Sequence, residues 1–139
     1  MPSELIFKKL EQISALLDEL EHLIALSFSD FQKNNVTVRA AERNFQLIVD
    51  LASDINTQIL LEKGRKTPDT YRQSFSDLGK EAIINAALTQ QLVLSAGIRN
   101  VLVHEYDFEE DYEKFYTSAK ALVPAYREYV KLIRDYAKW

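Results

Sequence analysis

At 139 residues, with 47% apolar and 27% charged side chains, the chain can bury a sizeable core and reads as one folded domain over residues 1–139. Its formal net charge of −4 excludes broad electrostatic binding to nucleic acid, which needs a basic face, so any such contact must be local. Without cysteine, disulfides and thiolate metal sites are excluded, and no run nears the ~20 apolar residues that a bilayer span needs.

Three glycines and three prolines favour long uninterrupted helices over a turn-rich β fold. Met1-Pro2-Ser3-Glu4-Leu5 lacks a basic region followed by an apolar run, so no signal peptide and a cytoplasmic location without membrane contact are expected. Pro2 and Ser3 suit a helix start, with Ser3 as N-cap. Leu5, Ile6, Leu10, Ile13, Leu16, Leu17, Leu20, Leu23 and Ile24 then recur at helical spacing and leave Lys8, Lys9, Glu11, Asp18 and Glu19 for solvent. Phe28-Ser29-Asp30-Phe31 reads as a turn. A second long helix begins at Asn34 or Asn35, either of which can cap it, and runs through Val38, Ala41, Phe45, Ile48, Ile55 and Ile59 to a stop at Gly64.

Arg65-Lys66-Thr67-Pro68-Asp69-Thr70 reads as a loop, and Thr70 can cap a short helix from Tyr71 to Leu78 that breaks near Gly79. Asn85 caps a helix from Ala86 to around Val103. Gly97 inside it marks a close helix contact, because an interior Gly otherwise costs about 1 kcal/mol relative to Ala. Glu109-Glu110-Asp111 suits a further helix start, and Pro124 is expected to interrupt or kink that helix, with a last helix from Pro124 to around Lys138. His22, among Leu20, Leu23 and Ile24, reads as structural, and Tyr112, Tyr116, Tyr126, Tyr129 and Tyr136 read as packing. The pattern is that of an all-α, antiparallel helical bundle.

The chemistry is expected at Arg99-Asn100-Val101-Leu102-Val103-His104-Glu105-Tyr106, where one of only two histidines ends an apolar helical stretch near a guanidinium. Arg stays charged at cellular pH and grips phosphate through a planar fork, while His exchanges a proton near neutrality. Together they form a minimal kit for cutting a phosphodiester without a metal ion. No cofactor is expected, and a zinc site is disfavoured because His22 and His104 have no ligand spacing and cysteine is absent. On a helix Asn100 and His104 lie about 40° apart, so Asn100 could orient His104 or bond a ribose hydroxyl. Arg99 and His104 differ by about 140° and about 7.5 Å of rise, so one straight helix does not aim both at one phosphate. Either the helix ends at His104 and frees its ring, or a two-fold dimer brings one chain's Arg99 to the other's His104. Six acids between Glu105 and Glu113 favour the protonated imidazole and hence a general acid. The structural alternative is a His that only meets the last helix carbonyls, beside an exposed Arg99 and a core Tyr106.

This segment resembles the signature of HEPN-domain proteins, specifically the HepT-like toxins: Arg, four residues, His, one residue, Tyr, with a polar residue after the Arg. Arg39-Ala40-Ala41-Glu42-Arg43-Asn44-Phe45-Gln46 resembles the family's second-helix segment, and Thr70-Tyr71-Arg72-Gln73-Ser74-Phe75 followed by Leu78 its short middle helix. One departure is Ile98, where an aromatic often precedes the Arg. The resemblance implies a four- to five-helix HEPN bundle acting as a metal-independent ribonuclease toxin on RNA, with tRNA one candidate. It implies catalysis by Arg99 and His104 with support from Asn100, and a homodimer whose two motifs line a cleft. It also implies a nucleotidyltransferase-fold (MNT) antitoxin that transfers AMP onto Tyr106, although Tyr106 could instead stack on an RNA base. The competing expectation is a non-catalytic helical interaction or nucleotide-binding subunit that complements a nucleotidyltransferase.

Arg39 and Arg43 stand one turn apart beside Glu42 and either line the RNA cleft or form a solvated, salt-bridged face. Lys63, Arg65, Lys66 and Arg72 give the loop region a positive balance that could meet RNA backbone.

Overall fold

The computed structural model describes residues 3–104 and 112–138, all of whose regular elements are helical. In chain order they are α1 (Ser3–Ile24), α2 (Phe28–Lys33), α3 (Asn35–Glu62), α4 (Tyr71–Lys80), α5 (Ala86–His104) and α6 (Tyr112–Ala137). Five longer helices and the six-residue α2 thus make up the bundle among the described residues.

Most boundaries follow from capping. Asn34 accepts the N–H groups of Val36 and Thr37 at 3.0 and 3.3 Å and starts α3. Thr70 Oγ1 accepts from Gln73 N–H at 3.0 Å, and Asn85 Oδ1 from Leu88 N–H at 2.8 Å, opening α4 and α5. Gly64, with φ of +78°, ends α3 in the left-handed region that favours glycine.

Three expectations are corrected. The segment Phe28–Phe31 is helical rather than a turn: Ser27 Oγ accepts from Asp30 N–H at 3.2 Å, and Phe31 is fully buried. Both phenylalanines pack on Tyr116, at ring-centre distances of 5.3 and 5.2 Å, and Tyr116 donates its hydroxyl to Leu26 O at 2.5 Å. Nor does α4 break at Gly79; it runs on to Lys80, and the missing side chain serves close packing, since a Cβ there would overlap Thr89 of α5. Finally, α6 passes through Pro124 as one helix. Pro124 and Lys120 are both exposed, so water can take up the carbonyl that the missing N–H leaves free, while buried Val123, Ala125 and Tyr126 hold the helix on the core.

Long-range pairs give the helix directions. Lys9–Asp54 at 3.5 Å and Asn44–Glu19 at 3.2 Å set α1 antiparallel to α3, and Arg127–Asp18 at 2.8 Å with Tyr116–Leu26 does the same for α1 and α6. Phe45–Phe115, Asn56–Tyr129 and Lys63–Tyr136 make α3 and α6 parallel across the core. Ser74 lies by Ser53 and Asn56 and Glu81 by Lys63, so α4 runs with α3. Gly79 meets Thr89 and Gly97 meets Arg72, so α5 runs against both.

The centre holds an aromatic cluster, Phe75, Tyr126 and Tyr129, with tilted rings 5.9 to 6.4 Å apart. Its hydroxyls are satisfied. Ser95 Oγ donates to Leu92 O at 2.6 Å, which leaves Tyr126 to donate to Ser95 at 2.6 Å. Tyr129 reaches Asn56 Oδ1 at 2.6 Å, and Asn56 Nδ2 donates to Ser74 Oγ at 3.2 Å. Ser74 in turn donates to Tyr71 O at 2.7 Å. Burial pushes both tyrosine hydroxyls well above their ordinary range, so they remain donors. Among the described residues no helix is long and apolar enough to cross a membrane.

Candidate functional site

Arg99 falls on the side of α5 that also carries Leu92, Ser95 and Ala96, all fully buried. It therefore points into its own bundle, where α3 and α4 meet α5. Its Nε–H donates to Asp50 Oδ1 at 2.9 Å, with only 16% and 27% of the two side chains exposed. Its guanidinium carbon stands 4.4 Å from the centre of the Tyr71 ring, a cation–π stack. Nη1 donates to Asn100 Oδ1 at the longer distance of 3.4 Å. Burial, and after it the charge of Asp50, push the Tyr71 hydroxyl above its ordinary range, with Arg99 pulling the other way. Arg99 is thus neither exposed nor free, which removes the exposed-charge alternative.

Asn100 is half-buried and sits beside the guanidinium of Arg99. His104 is the last residue of α5, and its side chain lies outside the described part of the chain. Tyr106 and the acids from Glu105 to Asp111, including the expected helix start at Glu109, lie outside the described residues altogether.

Arg39 and Arg43 occupy α3. Residues 39, 43 and 50 fall within about 40° of one another on a helix, so both arginines share the face that carries Asp50. From Asp50, Arg43 lies about 10 Å toward the start of α3, and from Arg99, His104 lies about 7.5 Å toward the end of α5. Because the two helices are antiparallel, these displacements run the same way. Arg39 pairs with Glu42 at 3.1 Å and keeps 63% of its side chain exposed; Arg43 is exposed too. Glu42 Oε2 is buried and has no hydrogen-bond partner among the described residues.

The second basic group is changed by the fold. Arg65 forks onto Glu81 at 2.9 Å and Asp77 at 3.4 Å, and Lys63 reaches Glu81 at 3.8 Å, so these two cations pin the α3–α4 loop. Lys66 and Arg72 are exposed. Arg72 lies over Gly97, where an added Cβ would come within 2.7 Å of its Nη2. The close contact expected at Gly97 is therefore made by a guanidinium rather than by a helix backbone. His22 is exposed in the last turn of α1, so it is no core residue. Among the described residues no three His, Cys, Asp or Glu side chains gather to hold a metal.

Sequence reasoning missed Asp50 and Tyr71. Asp50 carried a signal, being the lone acid within Ile48-Val49-Asp50-Leu51-Ala52 on a largely buried helix. An acid there calls for a partner from elsewhere in the chain. Tyr71 carried none.

A family model described as ribonuclease HepT-like matches residues 13–133. Over 132 residues the chain is 35% identical to a tRNA nuclease HepT from Aphanizomenon flos-aquae, covering 95% of this chain and 89% of that protein. Two solved structures share the fold. One is a tri-AMPylated Shewanella oneidensis HEPN toxin in complex with MNT antitoxin, with a TM-score of 0.85 at 20% identity over 94% of this chain and 96% of that one. The other is YutE from Bacillus subtilis, a cytosolic protein of unknown function, with a TM-score of 0.71 at 21% identity over 91% and 88% of the two chains.

Proposed function

The chain belongs to the ribonuclease HepT-like family, and from that premise we propose that it is an RNA-cutting toxin in which Arg99 and His104 act on one phosphodiester without a metal ion. The observation that carries this reading is the guanidinium of Arg99, held by Asp50 at 2.9 Å and by the Tyr71 ring, five residues before α5 reaches His104. RNA supplies its own nucleophile, the ribose 2′-hydroxyl, so a cation and a proton shuttle are enough. Arg99 stabilises the phosphoryl oxygens as negative charge builds on them. As the 2′-hydroxyl loses its proton to solvent and bonds to phosphorus, the P–O5′ bond breaks and His104 protonates the departing oxygen, leaving a 2′,3′-cyclic phosphate, with Asn100 in support. The relative's description as a tRNA nuclease makes tRNA the substrate class of choice. With a net charge of −4 the chain must grip RNA locally, and exposed Arg39 and Arg43 supply phosphate contacts on the face of α3 shared with Asp50. The test is incubation of the purified protein with a bulk tRNA pool in EDTA. Cleavage is expected; inert protein that binds a nucleotidyltransferase tightly would favour the non-catalytic module instead.

The Shewanella toxin is AMPylated and bound to an MNT antitoxin, and both features carry over as proposals. A nucleotidyltransferase-fold antitoxin is the partner, and Tyr106 is the acceptor. AMP on Tyr106, two residues from His104, adds bulk and negative charge where the substrate phosphate must dock. Intact mass after co-expression with such an antitoxin should show added AMP on the wild type and none on Tyr106→Phe. An unchanged adduct on the variant would transfer the acceptor role elsewhere.

Two copies are proposed to pair through α5. Leu94 and Val101 are 66% and 46% exposed, and with half-buried Ile98 between them they form an apolar stripe one helical face wide. This stripe lies about 130° around α5 from Arg99, so each Arg99 stays anchored in its own protomer. Sedimentation should give a species of twice 16.1 kDa for the wild type and a monomer for Leu94→Glu with Val101→Glu. A monomeric wild type would remove the dimer.

A further inference from the structure

A guanidinium offers two edges to an anion, one made by Nε with a terminal nitrogen, the other by the two terminal nitrogens. In Arg99 the first edge is taken, because Nε–H donates to Asp50 Oδ1 at 2.9 Å. One flat face is stacked at 4.4 Å on the Tyr71 ring. Among the described residues the terminal edge meets only Asn100 Oδ1, at 3.4 Å. From this geometry we infer that Asp50 and Tyr71 are positioning residues, which hold Arg99 still and keep its terminal edge for a substrate phosphate. The inference rests on the role proposed for Arg99 above.

Both supports are themselves anchored. Asp50 projects from the middle of α3, between fully buried Val49 and Ala52 in the same turn. The carbonyl of Tyr71 accepts from Ser74 Oγ at 2.7 Å, and Ser74 is joined through Asn56 to Tyr129 in the core. A long flexible cation normally loses rotamer freedom when it grips a phosphate, and here that loss has already been met on folding. The benefit should therefore show in the transition state more than in ground-state binding, provided the held geometry is the productive one.

The test is steady-state cleavage of a bulk tRNA pool in EDTA, with kcat and KM separated. Asp50→Ala is expected to lower kcat about 100-fold with little change in KM. Asp50→Asn retains an acceptor oxygen for Nε–H while losing the charge, and is expected to recover most of that rate. A residue that only stabilised the fold would change the melting temperature without that rescue or that split. Wild-type kcat in Asp50→Ala beside an inactive Arg99→Ala would overturn this inference alone; full activity in Arg99→Ala would overturn it together with the proposed function. Should Asp50→Ala fail to fold, Tyr71 carries the test. Tyr71→Phe keeps the ring and should match the wild type, whereas Tyr71→Leu should be slow; equal rates in the two would overturn the positioning role.

Discussion

His104→Ala is expected to lower the rate of EDTA-resistant tRNA cleavage by about 10²- to 10⁴-fold, the usual span for loss of a general acid or base. Arg99→Ala should cost about 10²- to 10³-fold, as removal of one transition-state donor does. The two losses should not multiply in the double variant, because a cation and a proton shuttle acting on one linkage work as a unit. Arg99→Lys should rescue poorly. An ammonium lacks both the Nε–H that meets Asp50 at 2.9 Å and the planar face that lies on Tyr71. The folds of these variants should survive, since Asp50 is 27% exposed and water can solvate the carboxylate once Arg99 is gone. Initial rates on bulk tRNA, with circular dichroism as the control for folding, settle the matter. Wild-type rates in both single variants would remove these residues from catalysis.

The second large effect is on stability. Phe75 is fully buried and packs edge-on against Tyr126 and Tyr129, at ring-centre distances of 6.4 and 6.3 Å. Phe75→Ala should cost about 3–5 kcal/mol, because the cavity is walled by α6 side chains that cannot collapse into it. Against a typical total of about 5–15 kcal/mol, that should lower the melting temperature by roughly 10 °C or more. The loss should also reach the site. Phe75 stands one turn after Tyr71 on α4, so loosening it tilts the ring beneath Arg99. Thermal denaturation measures the first effect and the cleavage rate of the folded variant the second. A melting temperature within a few degrees of the wild type would show that the aromatic cluster repacks.

Several elements were legible in the chain itself. Asn34, Thr70, Asn85 and Gly64 were readable as caps and stops because each acts within four residues of itself. The apolar repeat of α1 was readable for the same reason, since Ile6, Leu10, Ile13, Leu17 and Leu20 all turn inward. Where local rules misled, a distant partner overrode them. Phe28 and Phe31 form a helix because Tyr116 gives them a surface to pack on. Pro124 does not divide α6, because the core holds the residues on both sides of it. Lys63 and Arg65 resembled an RNA-facing pair until Asp77 on α4 and Glu81 just after it came round to neutralise them.

Chain order alone therefore carried the all-α class, most helix limits and the Arg99–His104–Tyr106 motif, since periodicity, capping and spacing are short-range properties of the backbone. Folding decided where the guanidinium of Arg99 goes. Asp50 lies 49 residues from Arg99 along the chain, and no local rule brings a carboxylate on α3, a ring on α4 and a cation on α5 to one point. Only the packing of three helices, each buried by its own apolar stripe, turns those side chains toward one another.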